Sequence, residues 1–218
     1  MDSLRYINLV RFVLLAGGLL SLAACGGKVR YPSYYVLNVP PAPKVIGGKP
    51  VFGSAAVREF SAPRFLRAGP IVYRQSPEQV GFYNYDHWAV DPRSVITSAM
   101  AQNLQARGLF ESVHLFDGRA ISDYLVTGTL DHLEEVDQGH DVFITVAVSA
   151  QLLDLKTGDV LWRDSSSETS KLDHHAVPSL VDGMSQAAEN AVTRLVSSMQ
   201  DRLAQDSASS AISETGRQ

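Results

Sequence analysis

VFITVAVSAQLLDL, residues 142–155, alternates without interruption. Val142, Ile144, Val146, Val148, Ala150 and Leu152 fall on one side, as a strand half-covered by helices requires. The next stretch, LKTGDVLW, turns through residues 156–159, with Gly158 free to take positive φ. Residues 160–170 therefore return antiparallel to the long strand. Upstream, YLVTGTLDHLEEV (124–136) and SVHLF (112–116) read as further strands of the same sheet.

Working outward, IVYR (71–74) and VGFYNY (80–85) flank Gln75-Ser76-Pro77-Glu78-Gln79 and read as a β-hairpin. A strand is expected within 51–63, and YYVLNV (34–39) reads as the first strand before PPAPKVIGGKP breaks it. Two helices are punctuated in the chain. In the first, Asp91 suits the N-cap, Pro92 the first helical position and Gly108 the left-handed residue past the end. Val95, Ile96, Ala99, Met100 and Leu104 share one face of it. The second follows Pro178, with a stripe of Leu180, Met184, Ala188, Val192 (or Ala191), Leu195, Met199 and Leu203, and with Arg194 and Arg202 toward its C-terminus. Strands with two long amphipathic helices at mid-chain and end make an α+β fold, a single domain with a largely antiparallel or mixed sheet and both helices packed on it.

The first 25 residues have a different character. Arg5 and Arg11 supply positive charge, Phe12 to Ala24 is apolar with Gly17 and Gly18 inside it, and the small residues Ala23 and Ala24 precede Cys25. A membrane span needs about 20 apolar residues, so this run is too short to cross and reads as a signal peptide. Leu22-Ala23-Ala24-Cys25 resembles the lipobox of bacterial lipoprotein precursors, in which the cysteine thiol takes a diacylglycerol and becomes the first mature residue. The resemblance implies a covalent diacylglycerol and an N-acyl chain on Cys25, and two or more chains hold a protein stably on a membrane. Gly26 in place of an aspartate implies sorting to the periplasmic face of the outer membrane. The expected organisation is a lipoprotein signal peptide over 1–24, a lipidated tether over 25–33, a folded domain over 34–203 and a disordered tail over 204–218.

Removal of residues 1–24 takes away Arg5, Arg11 and Asp2, leaving 17 basic against 22 acidic residues and a net charge of −5. That charge argues against nucleic acid, which is bound by Lys and Arg, and against electrostatic adhesion to an anionic bilayer. A body of this length buries roughly 70% of its extended-chain surface without disulfide staples. Cys25 is the only cysteine, as suits an oxidising compartment.

Catalytic patterns are sparse. Gly183-Met184-Ser185-Gln186-Ala187 approaches a nucleophile elbow, but it falls inside the second helix with no strand before it, and reads as a polar helix face. His87, His114, His132, His140, His174 and His175 show no metal-ligand spacing, so no metal site is expected and the histidines read as loop or surface residues. No phosphate-binding glycine loop appears, and no enzymatic role is expected. The segment VGFYNYDHWAVDP concentrates Phe82, Tyr83, Tyr85 and Trp88 within seven residues. Strand alternation puts Phe82 on one face and Tyr83 and Tyr85 on the other. Either both faces are covered, or one set is exposed to a partner protein or apolar ligand.

The order of Cys25, YYVLNVP, PRFLRAGPIVYRQSPEQVGFYNYDHWAVDP, a helix, the long strand and DLKTGDVLWRD resembles the ABC-type transport auxiliary lipoprotein family, which holds PqiC-like outer-membrane lipoproteins. The likeness runs from Tyr34 to Leu203. It implies a non-enzymatic docking subunit of an intermembrane (phospho)lipid transport system. The implied partners are a periplasmic MCE-domain protein and an inner-membrane ABC transporter or permease, with assembly into a homo-oligomeric ring. The competing reading is an envelope structural or assembly lipoprotein without a transport partner.

Overall fold

A computed structural model describes residues 30–44, 50–67, 69–119 and 121–215, with side chains through residue 207. From Pro32 onward the chain is one compact unit. The signal peptide, Cys25 and most of the tether lie outside the described residues. Among the described residues no helix is long and apolar enough to cross a membrane.

The centre is the long meander that the alternating pattern announces. β6 (Tyr124–Gln138), β7 (Asp141–Asp154) and β8 (Val160–Lys171) pair antiparallel along nearly their whole length. Gly139 and His140 form the β6/β7 turn, and positive φ at Gly139 (67°) suits a two-residue hairpin with glycine first. At the β7/β8 turn Asp154 Oδ1 accepts from the backbone N–H groups of Lys156 (2.7 Å) and Thr157 (3.2 Å), and Gly158 takes φ 85°. The carboxylate thereby nucleates the turn that the sequence placed at 156–159.

The other edge of β6 is shared by two strands in succession. β2 (Phe52–Val57) pairs parallel at Tyr124 to Val126, and a bridge from Ser61 to Thr129 follows. After a short 3-10 turn at Arg64–Leu66, β3 (Gly69–Ser76) rejoins β6 parallel at Glu135 and Val136. β3 turns into β4 (Gln79–Trp88) as the expected hairpin, and β1 (Ser33–Tyr35) adds parallel to the end of β4. β5 (Phe110–Leu115) pairs parallel with β2. The eight-stranded sheet is therefore mixed, and it splays at β6 into a β2/β5 wing and a β3/β4/β1 wing.

Both helices cover one face. α1 (Pro92–Arg107) begins as its punctuation requires: Asp91 Oδ1 accepts from Arg93 N at 3.0 Å, and Gly108 closes the helix in the left-handed region. Ile96, Ala99, Met100 and Leu104 are buried, and Val95 stays partly exposed. α2 (Val177–Thr215) lays Leu180, Met184, Ala188, Ala191, Val192, Leu195, Met199 and Leu203 against Ile144, Val146, Val148 and Leu152 of β7. Gly183 allows the close approach, since a Cβ there would fall 2.2 Å from Ile144 Cδ1.

Three local expectations differ from the structure. The first strand stops at Tyr35, well short of Val39: Leu37 is buried and Asn38 N donates to Ser185 Oγ at 3.0 Å, so the backbone after Tyr35 bonds to a helix side chain. Ser185 consequently lies in the interior, also donating to Val181 O at 2.8 Å, and is no part of an exposed polar face. Residues 204–215, expected to be disordered, continue α2, supported by an i,i+4 ion pair between Arg202 and Asp206 at 3.2 Å.

Candidate functional site

The aromatic stretch lies on β4, and its alternation breaks. Val72 pairs with Phe82 and Pro70 with His87, so one residue of β3, Ile71, faces four of β4. A bulge of this kind inverts the in/out order along the strand. Tyr83 at its start and Trp88 after it both turn inward, despite opposite parity. Trp88 is 5% exposed and belongs to the core. Phe82 (45% exposed) and Tyr85 (41%) both face solvent. The expectation that one set is exposed, either Phe82 or Tyr83 with Tyr85, is corrected accordingly: Phe82 and Tyr85 are both exposed, while Tyr83 and Trp88 are withdrawn.

Tyr83 enters a polar cluster built around the buried Glu135 carboxylate. Its ring meets Tyr73 edge-on at 5.6 Å, and its hydroxyl donates to Glu135 Oε2 at 2.8 Å. His175, just before α2, places Nε2 3.2 Å from Glu135 Oε1 and 3.1 Å from the Tyr83 oxygen. With its proton on Nε2 the ring donates to both. Glu135 is only 2% exposed, and burial pushes its carboxyl above the ordinary carboxylate range, with Asp137 adding to the shift and the Tyr83 and His175 contacts opposing it. Burial and the neighbouring Glu135 carboxylate push the Tyr83 hydroxyl upward, so it remains a proton donor. The cluster ties the start of α2 to β4 and β6.

Glu134, adjacent on β6, points to the other face and is equally buried. Arg74 grips it with a fork, Nε to Oε1 and Nη2 to Oε2 both at 3.0 Å, and His132 Nδ1 adds a contact at 2.8 Å. Arg74 Nη1 also donates to Pro77 O at 2.7 Å, so the same guanidinium holds the β3/β4 turn. On this helix-free face a groove of about 490 Å³ runs between Arg58 and Arg163, floored by Thr127, Gly128, Ser149 and Ala150. Gln151 relays across three strands there, donating to Thr127 and accepting from Arg163 Nε and Nη2.

Beside the exposed pair on β4 stands the residue that sequence reasoning left out. Tyr34 on β1, 64% exposed, pairs with His87 and sets its ring 5.8 Å from the imidazole. Val36 and Val90, both exposed, continue the apolar strip and line a groove against Val95 of α1. Edge position alone could have signalled Tyr34, because a short strand following a tether has no second neighbour. The acidic pair was visible as Glu134-Glu135 inside an apolar strand pattern, a place where charge survives only with partners.

The histidines do not converge. His132 and His175 serve Glu134 and Glu135 separately, and His114 Nε2 contacts Ser122 Oγ at 3.0 Å. Among the described residues no group of three or more His, Cys, Asp or Glu side chains is arranged to hold a metal ion.

Comparison with known proteins gives the family. The model of the ABC-type transport auxiliary lipoprotein component matches residues 35–196. No curated protein matches the chain. The crystal structure of protein XCC0632 from Xanthomonas campestris, assigned to DUF330, is similar with a TM-score of 0.70 at 19% identity, over 80% of this chain and 98% of that one. A second crystal structure, of an uncharacterized protein, gives a TM-score of 0.59 at 15% identity, covering 78% of this chain and 99% of the other. At these identities the likeness shows the shared fold. With most of the folded region matched, the chain belongs to the ABC-type transport auxiliary lipoprotein component family.

Proposed function

We propose that this protein is a lipid-anchored docking subunit of an intermembrane lipid transport system, held on the periplasmic face of the outer membrane through Cys25. Membership of a transport auxiliary lipoprotein family makes it a transport-associated lipoprotein, in a family of auxiliary components rather than enzymes. The observation that carries the finer reading is the position of the lipobox: Cys25 stands ten residues before the family domain begins at Tyr35. A diacylglycerol and an N-acyl chain on that cysteine would hold the body at the membrane surface, as two or more chains hold stably.

The body suits a docking part. Nothing in the chain resembles a nucleotide-binding loop, so energy for transport comes from a partner, which we take to be an inner-membrane ABC transporter or permease. A periplasmic MCE-domain protein would bridge the gap, and copies of this chain would assemble as a ring to receive it. The rigid eight-stranded sheet offers a helix-free face, and the polar groove between Arg58 and Arg163 is the concave part of it.

Crosslinking in intact cells, followed by affinity isolation and mass spectrometry, tests the reading. Recovery of an MCE-domain or ABC transporter component is the expected result. Recovery of envelope-polymer proteins alone, with no transport component, would make the protein a structural lipoprotein instead.

A further inference from the structure

We infer that the β1/β4 edge of the domain rests on the lipid–water interface of the membrane that holds Cys25, with Tyr34, Phe82 and Tyr85 as the side chains that enter it. The inference deepens the proposed function and rests on its anchor at Cys25.

Five large apolar side chains of the folded unit are exposed along this one border: Tyr34, Val36, Phe82, Tyr85 and Val90. β1 is only three residues long and covers just Asp86 to Trp88 of β4. The border therefore combines an exposed strand end with a row of aromatic rings. The bulge in β4 is what makes the row, by turning both Phe82 and Tyr85 outward while Tyr83 and Trp88 face inward. Tyrosine, with an apolar body and a polar tip, is the kind of side chain that settles at headgroup level.

The chain itself says what meets this border. Ser33, the first residue of β1, stands eight positions after Cys25, and at full extension that stretch spans at most about 28 Å. The acyl anchor is thus tied directly to the border that carries the aromatic row. The distant exposed apolar group on the β2/β5 wing is less accessible to the bilayer. Leu115 pairs with Val57, at the level of Val126 on β6, whereas Phe82 pairs with Val72, next to the Tyr73–Glu135 pair. Counted on β7, which lacks the bulge of β6, these levels differ by seven or eight residues, or about 25 Å along the strand. Bringing the far wing down would use most of the tether's reach.

Energetics favour a contact that is apolar and weak. The mature chain is acidic, so an anionic leaflet does not attract the body as a whole. Once the acyl chains are inserted, however, edge contact is an intramolecular event at high effective concentration, so a few interfacial aromatics suffice to set orientation. Lys28 and Arg30 are the charged residues of the sequence between Cys25 and Ser33, and both are basic. The consequence is a fixed tilt, with the helix-free sheet face and its groove held away from random tumbling.

The test uses the full-length lipidated protein in vesicles of phosphatidylethanolamine and phosphatidylglycerol with brominated acyl chains. Tryptophan reporters are placed by Phe82→Trp and, on the far wing, Leu115→Trp. The native Trp88 and Trp162 are each 5% exposed and supply a constant background. The expected result is bromine-dependent loss of emission in the Phe82→Trp protein and none in the Leu115→Trp protein. Equal quenching at both positions, or none at position 82 while the protein floats with the vesicles, overturns the inference and leaves the anchor standing. A protein that fails to float lacks the anchor, and the inference falls with it. A photo-crosslinker at position 82 in cells must give lipid adducts; a discrete protein adduct overturns the inference and assigns the edge to a partner protein.

Discussion

Replacing Arg74 by methionine removes the guanidinium that grips Glu134 while keeping the length of the side chain. Glu134 is 2% exposed and takes two of its three contacts from Arg74, at 3.0 Å each, with His132 Nδ1 at 2.8 Å as the remaining one. Stripping one partner from a buried ion pair strands the other charge, at a cost of about 3 kcal/mol. The Arg74 Nη1 bond to Pro77 O at 2.7 Å is lost in the same step, for roughly 1 kcal/mol more. With a urea dependence of about 3 kcal/mol per molar for a domain of this size, the unfolding midpoint drops by roughly 1 M. Urea titration of the body lacking its lipid, followed by far-UV circular dichroism, measures the shift. A companion Arg74→Met/Glu134→Leu variant recovers most of the loss, because it leaves no uncompensated charge. A single variant within about 0.2 M of the parent would refute the reasoning, since it would mean that Glu134 finds water or another partner at no cost.

The remaining predictions concern other parts of the same frame. Glu135→Gln changes the pH dependence of stability: the folded carboxyl titrates above its ordinary value of 4.5, so its contribution is fully present below that value and is lost as pH rises through the folded pKa. Relative to the parent, the glutamine protein should gain stability as pH climbs above 4.5, and parallel urea midpoints from pH 4 to 7 would contradict this. Gly128→Ala places a Cβ 2.4 Å from the Phe60 ring and 2.6 Å from Ser149 O, and the thermal midpoint should fall by an amount equivalent to about 1–3 kcal/mol. Ser185→Ala loses the acceptor for Asn38 N and should cost about 1 kcal/mol, read as faster amide exchange at Asn38, while hydrolase assays stay at background.

Much of this architecture was readable because its signals are local. The period-two run from Val142 to Leu152, the cap at Asp91, the stop at Gly108 and the stripe from Leu180 to Leu203 each depend on near neighbours, and each reappears where it was expected. The parallel pairings of β2 and β3 along one edge of β6 depend on long-range register, which alternation does not encode. The site was half legible for the same reason. Four aromatics close in sequence marked β4, but the bulge that sorts them into Phe82 and Tyr85 outside and Tyr83 and Trp88 inside arises from the match with β3. Tyr34 was passed over because its exposure follows from β1 ending at Tyr35, which in turn follows from the bond between Asn38 and Ser185 across 147 residues. The tail shows the opposite failure: its polar composition suggested disorder, while a preceding helix of several turns carries it onward at little nucleation cost.

Everything proposed about location and partners depends on the lipid at Cys25. Metabolic labelling of cells with palmitate, comparing the native protein with Cys25→Ser, tests it most directly. The native protein should carry label and sediment with membranes, while the serine variant stays unlabelled and keeps the same folded body. Label persisting in the serine variant, or a native protein without label, would contradict the assignment.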